Sequence, residues 1–146
     1  MIEPNLDKLR VLIVVEDAFM EMTLRAQLDA SGIGPVHVAP SPEGALEALR
    51  SWRPGLVICD HSIEPASGLG MIRSIRADTD SPFRAIPIIL LAGFKRSEVL
   101  QGALWTAGVD AILDTPVTAR RLHDCIQSLR RTIGDLAGDG SIRPVP

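Results

Sequence analysis

The residues Gly55-Leu56-Val57-Ile58-Cys59-Asp60-His61-Ser62-Ile63-Glu64-Pro65-Ala66-Ser67-Gly68 decide how the chain is read. Leu56 to Cys59 is an unbroken apolar run, which suits a strand buried on both faces. The run stops at a carboxylate, Asp60, and a loop containing Pro, Ser and Gly follows. Open α/β sheets place their chemistry beyond the carboxyl ends of buried parallel strands, so Asp60 is a candidate functional acid. Taken alone, the stretch also fits an ordinary aspartate capping the next helix.

Working outward, the same pattern recurs. Upstream, Arg10 to Val15 reads as a second buried strand and ends in Glu16-Asp17. Ala18 to Ala30 shows helical spacing, with Phe19, Met22, Leu24 and Leu28 expected on or near one stripe, and Gly32 closes it. Pro35 to Ala39 reads as a short strand, and Ser41-Pro42 opens a helix that runs to Trp52 with an N-cap and a proline at its first position. Downstream of Asp60, a helix is expected from about Gly68 to Ala77, then a polar loop from Asp78 to Arg84. Ile86 to Leu91 is the fourth apolar run, Ser97 to Ala107 a helix ended by Gly108, and Asp110 to Leu113 a fifth strand. A last helix is expected over about Ala119 to Ile133, with Leu122, Ile126 and Leu129 recurring along it.

Strand and helix thus alternate five times, and the strands are apolar runs without period-two alternation. That combination specifies a parallel sheet with helices on both faces. The expected organisation is one domain over residues 8–133 and a flexible tail over 134–146, where Gly, Pro, Asp and Ser accumulate. A chain of 146 residues is long enough for one real core and short for two. A net charge of −3 gives no reason to expect nucleic acid as the partner. Cys59 and Cys125 make no disulfide framework and read as buried hydrophobes in a reducing compartment. The polar N-terminus is unlike a signal peptide and no apolar run is long enough to span a membrane, so a soluble cytoplasmic protein is expected.

In the strand order 2-1-3-4-5, the first and third strands are neighbours, and Glu16, Asp17 and Asp60 would crowd one crevice. Clustered carboxylates need neutralisation, and a hard cation with oxygen ligands is the simplest source. At this point the chain resembles the receiver domain of two-component response regulators, over Arg10 to about Arg131. Glu16-Asp17 matches the family's acidic pair and Asp60 its phosphoacceptor. Gly68, eight positions beyond Asp60, matches the loop glycine, and Ala107-Gly108 and Pro116 match the residues flanking the fifth strand.

The resemblance implies a three-layer, flavodoxin-like (βα)5 fold with a five-stranded parallel sheet. It implies that Asp60 accepts a phosphoryl group from a histidine kinase or phosphotransfer protein. Asp17, Asp60 and the backbone carbonyl of Ser62 would ligate Mg²⁺, with Glu16 acting through a metal-bound water. Output would pass by protein–protein contact through helix four, strand five and helix five, with homodimerisation left open, and without membrane or nucleic-acid partners. A stand-alone regulator is expected, a signalling module and not an enzyme.

Two positions depart from the family pattern. The hydroxyl residue usual at the end of strand four is Ala92, and the lysine usual at the end of strand five is Thr115. The strand-five aromatic is Ile112, and the proline of the loop after Asp60, Pro65, stands one place late. These departures support an alternative, a pseudo-receiver that binds its partner without phosphorylation; the intact acids argue against it. An aspartate-nucleophile phosphatase would need a general acid where Ser62 stands, and a flavodoxin-like cofactor binder would be opposed by Glu16-Asp17. His61 reads as an outward-facing loop residue and Lys95-Arg96 as solvated charge; His37 and His123 lack partners at zinc-ligand spacing. Trp52 and Trp105 read as packing at the edge of the core.

Overall fold

The anticipated strands pair side by side in one parallel sheet of order β2-β1-β3-β4-β5. The computed structural model describes residues 6–60, 65–93 and 98–129. A 3-10 turn at Leu6–Lys8 leads into β1 (Val11–Val14), α1 (Ala18–Ala30), β2 (Val36–Ala39), α2 (Pro42–Trp52) and β3 (Leu56–Asp60). Then come α3 (Pro65–Ala77), β4 (Ile88–Ala92), α4 (Glu98–Ala107), β5 (Ala111–Asp114) and α5 (Ala119–Ser128). The expected tail at 134–146 and the extension of α5 to Ile133 lie outside the described residues.

Why β1, β3 and β4 are apolar along nearly their whole length is visible in the packing. Leu12, Val14, Val57, Cys59, Ile88 and Leu90 face a core shared with α2, α3 and α4. The alternate residues, including Val11, Ile13, Leu56, Ile58, Ile89 and Leu91, face a second core shared with α1 and α5. Side chains alternate across a strand, so a strand covered on both sides must be apolar at every position. The register sets Val14 of β1 against Cys59 of β3, Asp60 of β3 against Leu91 of β4, and Ala92 of β4 against Asp114 of β5. The carboxyl ends of four strands therefore finish at one level.

Several expectations need correction. Phe19 and Met22 are 70% and 62% exposed, and only Leu24 and Leu28 of the expected stripe are buried. At about 100° per residue, Phe19 and Met22 fall on the far side of α1 from that pair. Trp105 is also exposed, at 47%, whereas Trp52 does pack at the core edge. Helix α3 begins at Pro65, three residues before Gly68, because proline is preorganised for a first helical turn. Strand β4 starts at Ile88 and not at Ile86; Pro87, which lacks an N–H, stands just before it.

Candidate functional site at the carboxyl ends of the strands

Asp60 ends the central strand β3 and is only 5% exposed, the one charged side chain buried among the described residues. Strand β1 ends beside it, and the chain leaves β1 through Val15, Glu16 and Asp17. Glu16 and Asp17 are both exposed. Asp17 adopts extended backbone as the N-cap of α1, and its Oδ2 accepts a hydrogen bond from the Met20 amide at 2.9 Å. The same carboxylate that is a candidate ligand therefore also starts the first helix.

On the other side, Ala92 closes β4 with 1% exposure and brings no polar side-chain atom. The half-buried Thr115 follows β5: its amide donates to the Ala92 carbonyl at 3.0 Å, and its hydroxyl donates to the same oxygen at 3.5 Å. The Thr115–Pro116 peptide is cis. Ile112, on β5, is half-buried against the core. The Cys59 thiol beside Asp60 is pushed up to about 12, by burial first and by the Asp60 charge second. It is therefore a neutral thiol at ordinary pH.

Asp17 and Asp60 are hard oxygen donors emerging from adjacent strands, a donor set that suits Mg²⁺, which takes one or two carboxylates and retains waters. Among the described residues, no three acidic, imidazole or thiol side chains group closely enough to hold a metal ion by themselves, so the crowding of Glu16, Asp17 and Asp60 expected from the topology is not seen there. Ser62, His61, Lys95 and Arg96 lie outside the described residues. His37 is exposed with its ring centroid 5.3 Å from that of Trp52, and His123 lies 3.8 Å from Asp124.

Sequence reading missed two groups that fix the surroundings. The first is the pair Arg76–Asp110, at 2.9 Å, which joins the end of α3 to the start of β5. The second is Gln27 of α1, whose Nε2 donates to the Val117 carbonyl at 2.7 Å across 90 residues of sequence. Neither has a spacing signal; each depends on chain segments that only the fold brings together.

Alternating strands and helices in the order β2-β1-β3-β4-β5 define an open, doubly wound α/β protein, with acids following β1 and ending β3 on neighbouring strands. The family description "Response regulator receiver domain" matches residues 11–127, and the chain belongs to that family. It is 28% identical over 122 residues to the polar-differentiation response regulator DivK of Brucella anthropi, covering 80% of this chain and 93% of the relative. It is 30% identical over 129 residues to a protein-glutamate methylesterase/protein-glutamine glutaminase of Paramagnetospirillum magneticum, covering 87% of this chain but only 35% of that protein. Among solved structures, the signal receiver domain of a histidine kinase from Syntrophus aciditrophicus superposes with a TM-score of 0.75 at 21% identity, covering 94% of this chain and 98% of that one. The receiver domain of a sensor histidine kinase from Pseudomonas aeruginosa, solved with a magnesium ion coordinated in its active-site cleft, gives 0.72 at 22% identity, covering 86% and 98%. No described helix is long and apolar enough to cross a membrane.

Proposed function

We propose that Asp60 accepts a phosphoryl group from a histidine kinase or phosphotransfer protein, and that the chain signals to a downstream protein through α4, β5 and α5. The carrying observation is the position of Asp60: a nearly buried carboxylate at the carboxyl end of the central strand, beside the acidic end of β1. In the transfer, the phosphorus–nitrogen bond of the donor phosphohistidine breaks as a phosphorus–oxygen bond to the Asp60 carboxylate forms, and the imidazole leaves with the electron pair. Asp17, Asp60 and the Ser62 backbone carbonyl would hold Mg²⁺, with Glu16 reaching it through water; the magnesium in the Pseudomonas receiver supports this reading. When bound, the ion neutralises charge on the transferred group.

Ala92 and Thr115 make this a weak reader of the phosphoryl group. Thr115 offers a neutral donor where the family has a charged one, and its hydroxyl is already turned to the Ala92 carbonyl. A charge-assisted hydrogen bond is worth about 1.5–3 kcal/mol against about 1 for a neutral one. With the Ala92 hydroxyl also missing, stabilisation of the phosphorylated state falls by roughly tenfold to a few hundredfold. The exposed Trp105 on α4 supports output through that face. The test is labelling with acetyl phosphate and Mg²⁺. Wild type should take up a slow, acid-stable and base-labile label, and Asp60→Asn none. A wild type that takes no label, or a variant that keeps it, would sink the proposal.

A further inference from the structure

Gln27 lies on α1, ten residues beyond the Asp17 cap, and its amide crosses to the loop between β5 and α5. That loop carries Thr115, the residue that stands in for the family's lysine. It is held on one side by the Ala92 carbonyl, which takes the Thr115 amide at 3.0 Å, and on the other by Gln27 Nε2, which donates to the Val117 carbonyl at 2.7 Å. Val117 itself is buried, and Thr118 caps α5 by accepting from the Arg121 amide. The tether thus fixes the stretch between the end of β5 and the start of α5.

The tether comes at a cost. Gln27 Oε1 is buried and has no hydrogen-bond partner among the described residues. A buried acceptor left unsatisfied loses its hydration without replacement, whereas an apolar side chain of the same length would not. Because Nε2 must be the donor toward a carbonyl, flipping the amide would only exchange one unmet group for a clash of two oxygens. An apolar side chain here would remove the orphan but strand the Val117 carbonyl instead, so the amide brings little net stability. The amide's contribution lies in where it puts the loop.

We infer that Gln27 is a positioning residue: it holds the β5–α5 loop so that Thr115 stays at the carboxyl end of the sheet facing the Asp60 site. This rests on the reading of Asp60 as phosphoacceptor. Gln27→Met is the variant to make, since it keeps length and volume while removing both the donor and the orphan acceptor. Three quantities are read on the full chain: the thermal midpoint, the amide resonances of Val117 and Thr118, and the rate of acetyl phosphate labelling. The expected result is a midpoint within about 5 °C of wild type, since one unmet acceptor replaces another, with shifted Val117 and Thr118 resonances and labelling slowed at least threefold. A merely structural role would lower the midpoint by more than that and slow labelling with it, and that outcome overturns the inference. So does labelling at the wild-type rate. A wild type that takes no label overturns the reading of Asp60 and this inference with it, whereas labelled wild type with equally labelled Gln27→Met overturns this inference alone.

Discussion

Replacing Asp110 separates two things a buried carboxylate can do, accept hydrogen bonds and carry charge. Asp110 Oδ2 accepts from the Ile88 amide at 2.7 Å and from Arg76 Nη2 at 2.9 Å, with the two side chains 22% and 20% exposed. Arg76 is otherwise well satisfied: Nε and Nη2 donate to the Gly108 carbonyl and Nη1 to the Arg84 carbonyl. Burial pushes the Asp110 carboxyl up, and the Ile88 amide and the Arg76 guanidinium pull it back only in part. Burial likewise lowers Arg76 against the opposing pull of Asp110. Desolvation thus outweighs the pairing, as is common for ion pairs away from water. Asp110→Ala strands the amide of fully buried Ile88 and leaves Arg76 without its anion, a loss of about 2–4 kcal/mol. Asp110→Asn can place its carbonyl oxygen where Oδ2 sits and keep both bonds, so it should fall within about 1 kcal/mol of wild type. For a chain of this size that is a midpoint drop of roughly 6–16 °C for alanine and under about 5 °C for asparagine, read by calorimetry. The sign with pH follows from the raised carboxyl. Its stabilising effect is full below the unfolded carboxylate range and is lost as pH rises through the folded value, so the advantage of wild type over Asp110→Asn should shrink with rising pH. Equal losses from both variants would refute the argument, because charge and not hydrogen-bond acceptance would then be what Asp110 supplies.

Other outcomes follow from single positions. Gly108 has φ +107°, and a Cβ there would come within 2.9 Å of Arg76 Cγ and Nε, so Gly108→Ala should cost about 1–3 kcal/mol in urea unfolding; an unchanged midpoint would show the loop relaxing freely. Phe19→Ser with Met22→Ser should leave stability within about 0.5 kcal/mol per site, because both side chains are largely exposed; a larger loss would place them in contacts the fold does not show. The Cys59 thiol is held at about 12 against an ordinary 9.0, so its stabilising effect is full below pH 9 and is lost as pH rises toward 12. Cys59→Ala should flatten the fall in stability between those limits, and in native wild type a thiol reagent should modify Cys125 before the buried Cys59.

The parts of the fold legible in the sequence are those governed by local rules. Apolar runs such as Leu56 to Cys59 become two-sided strands because nothing else suits four buried residues in a row, and Ser41-Pro42 and Thr118 start helices where caps should. Asp60 is legible as the residue that closes β3, because it ends such a run. The α1 stripe misled because Phe19 and Met22 are apolar without being inward, and hydrophobicity alone does not fix which side of a helix meets the sheet. Arg76 and Asp110, 34 residues apart, and Gln27 and Val117, 90 apart, were illegible for a different reason. Arg76 and Asp110 pair with each other, but at no local spacing, and the remaining partners are a backbone amide and backbone carbonyls, which every residue possesses, so side-chain identities there carry no trace of the contact.

Asp17 shows why the acids of the site cannot be tested by alanine alone. Its carboxylate caps α1 through the Met20 amide at 2.9 Å, and under the proposed function it also holds Mg²⁺. Asp17→Ala removes both roles, and loss of a cap costs about 1 kcal/mol, or roughly 3–5 °C here. Asparagine caps a helix about as well as aspartate but brings no charge to a cation. Asp17→Asn should therefore keep the thermal midpoint and lose the heat of Mg²⁺ binding, while Asp17→Ala loses both. If asparagine lowers the midpoint as far as alanine, the cap is not what Asp17 contributes to α1. If asparagine retains the wild-type heat, the Asp17 carboxylate is not a ligand, and the acidic end of the crevice must be reassigned to Asp60 and Glu16.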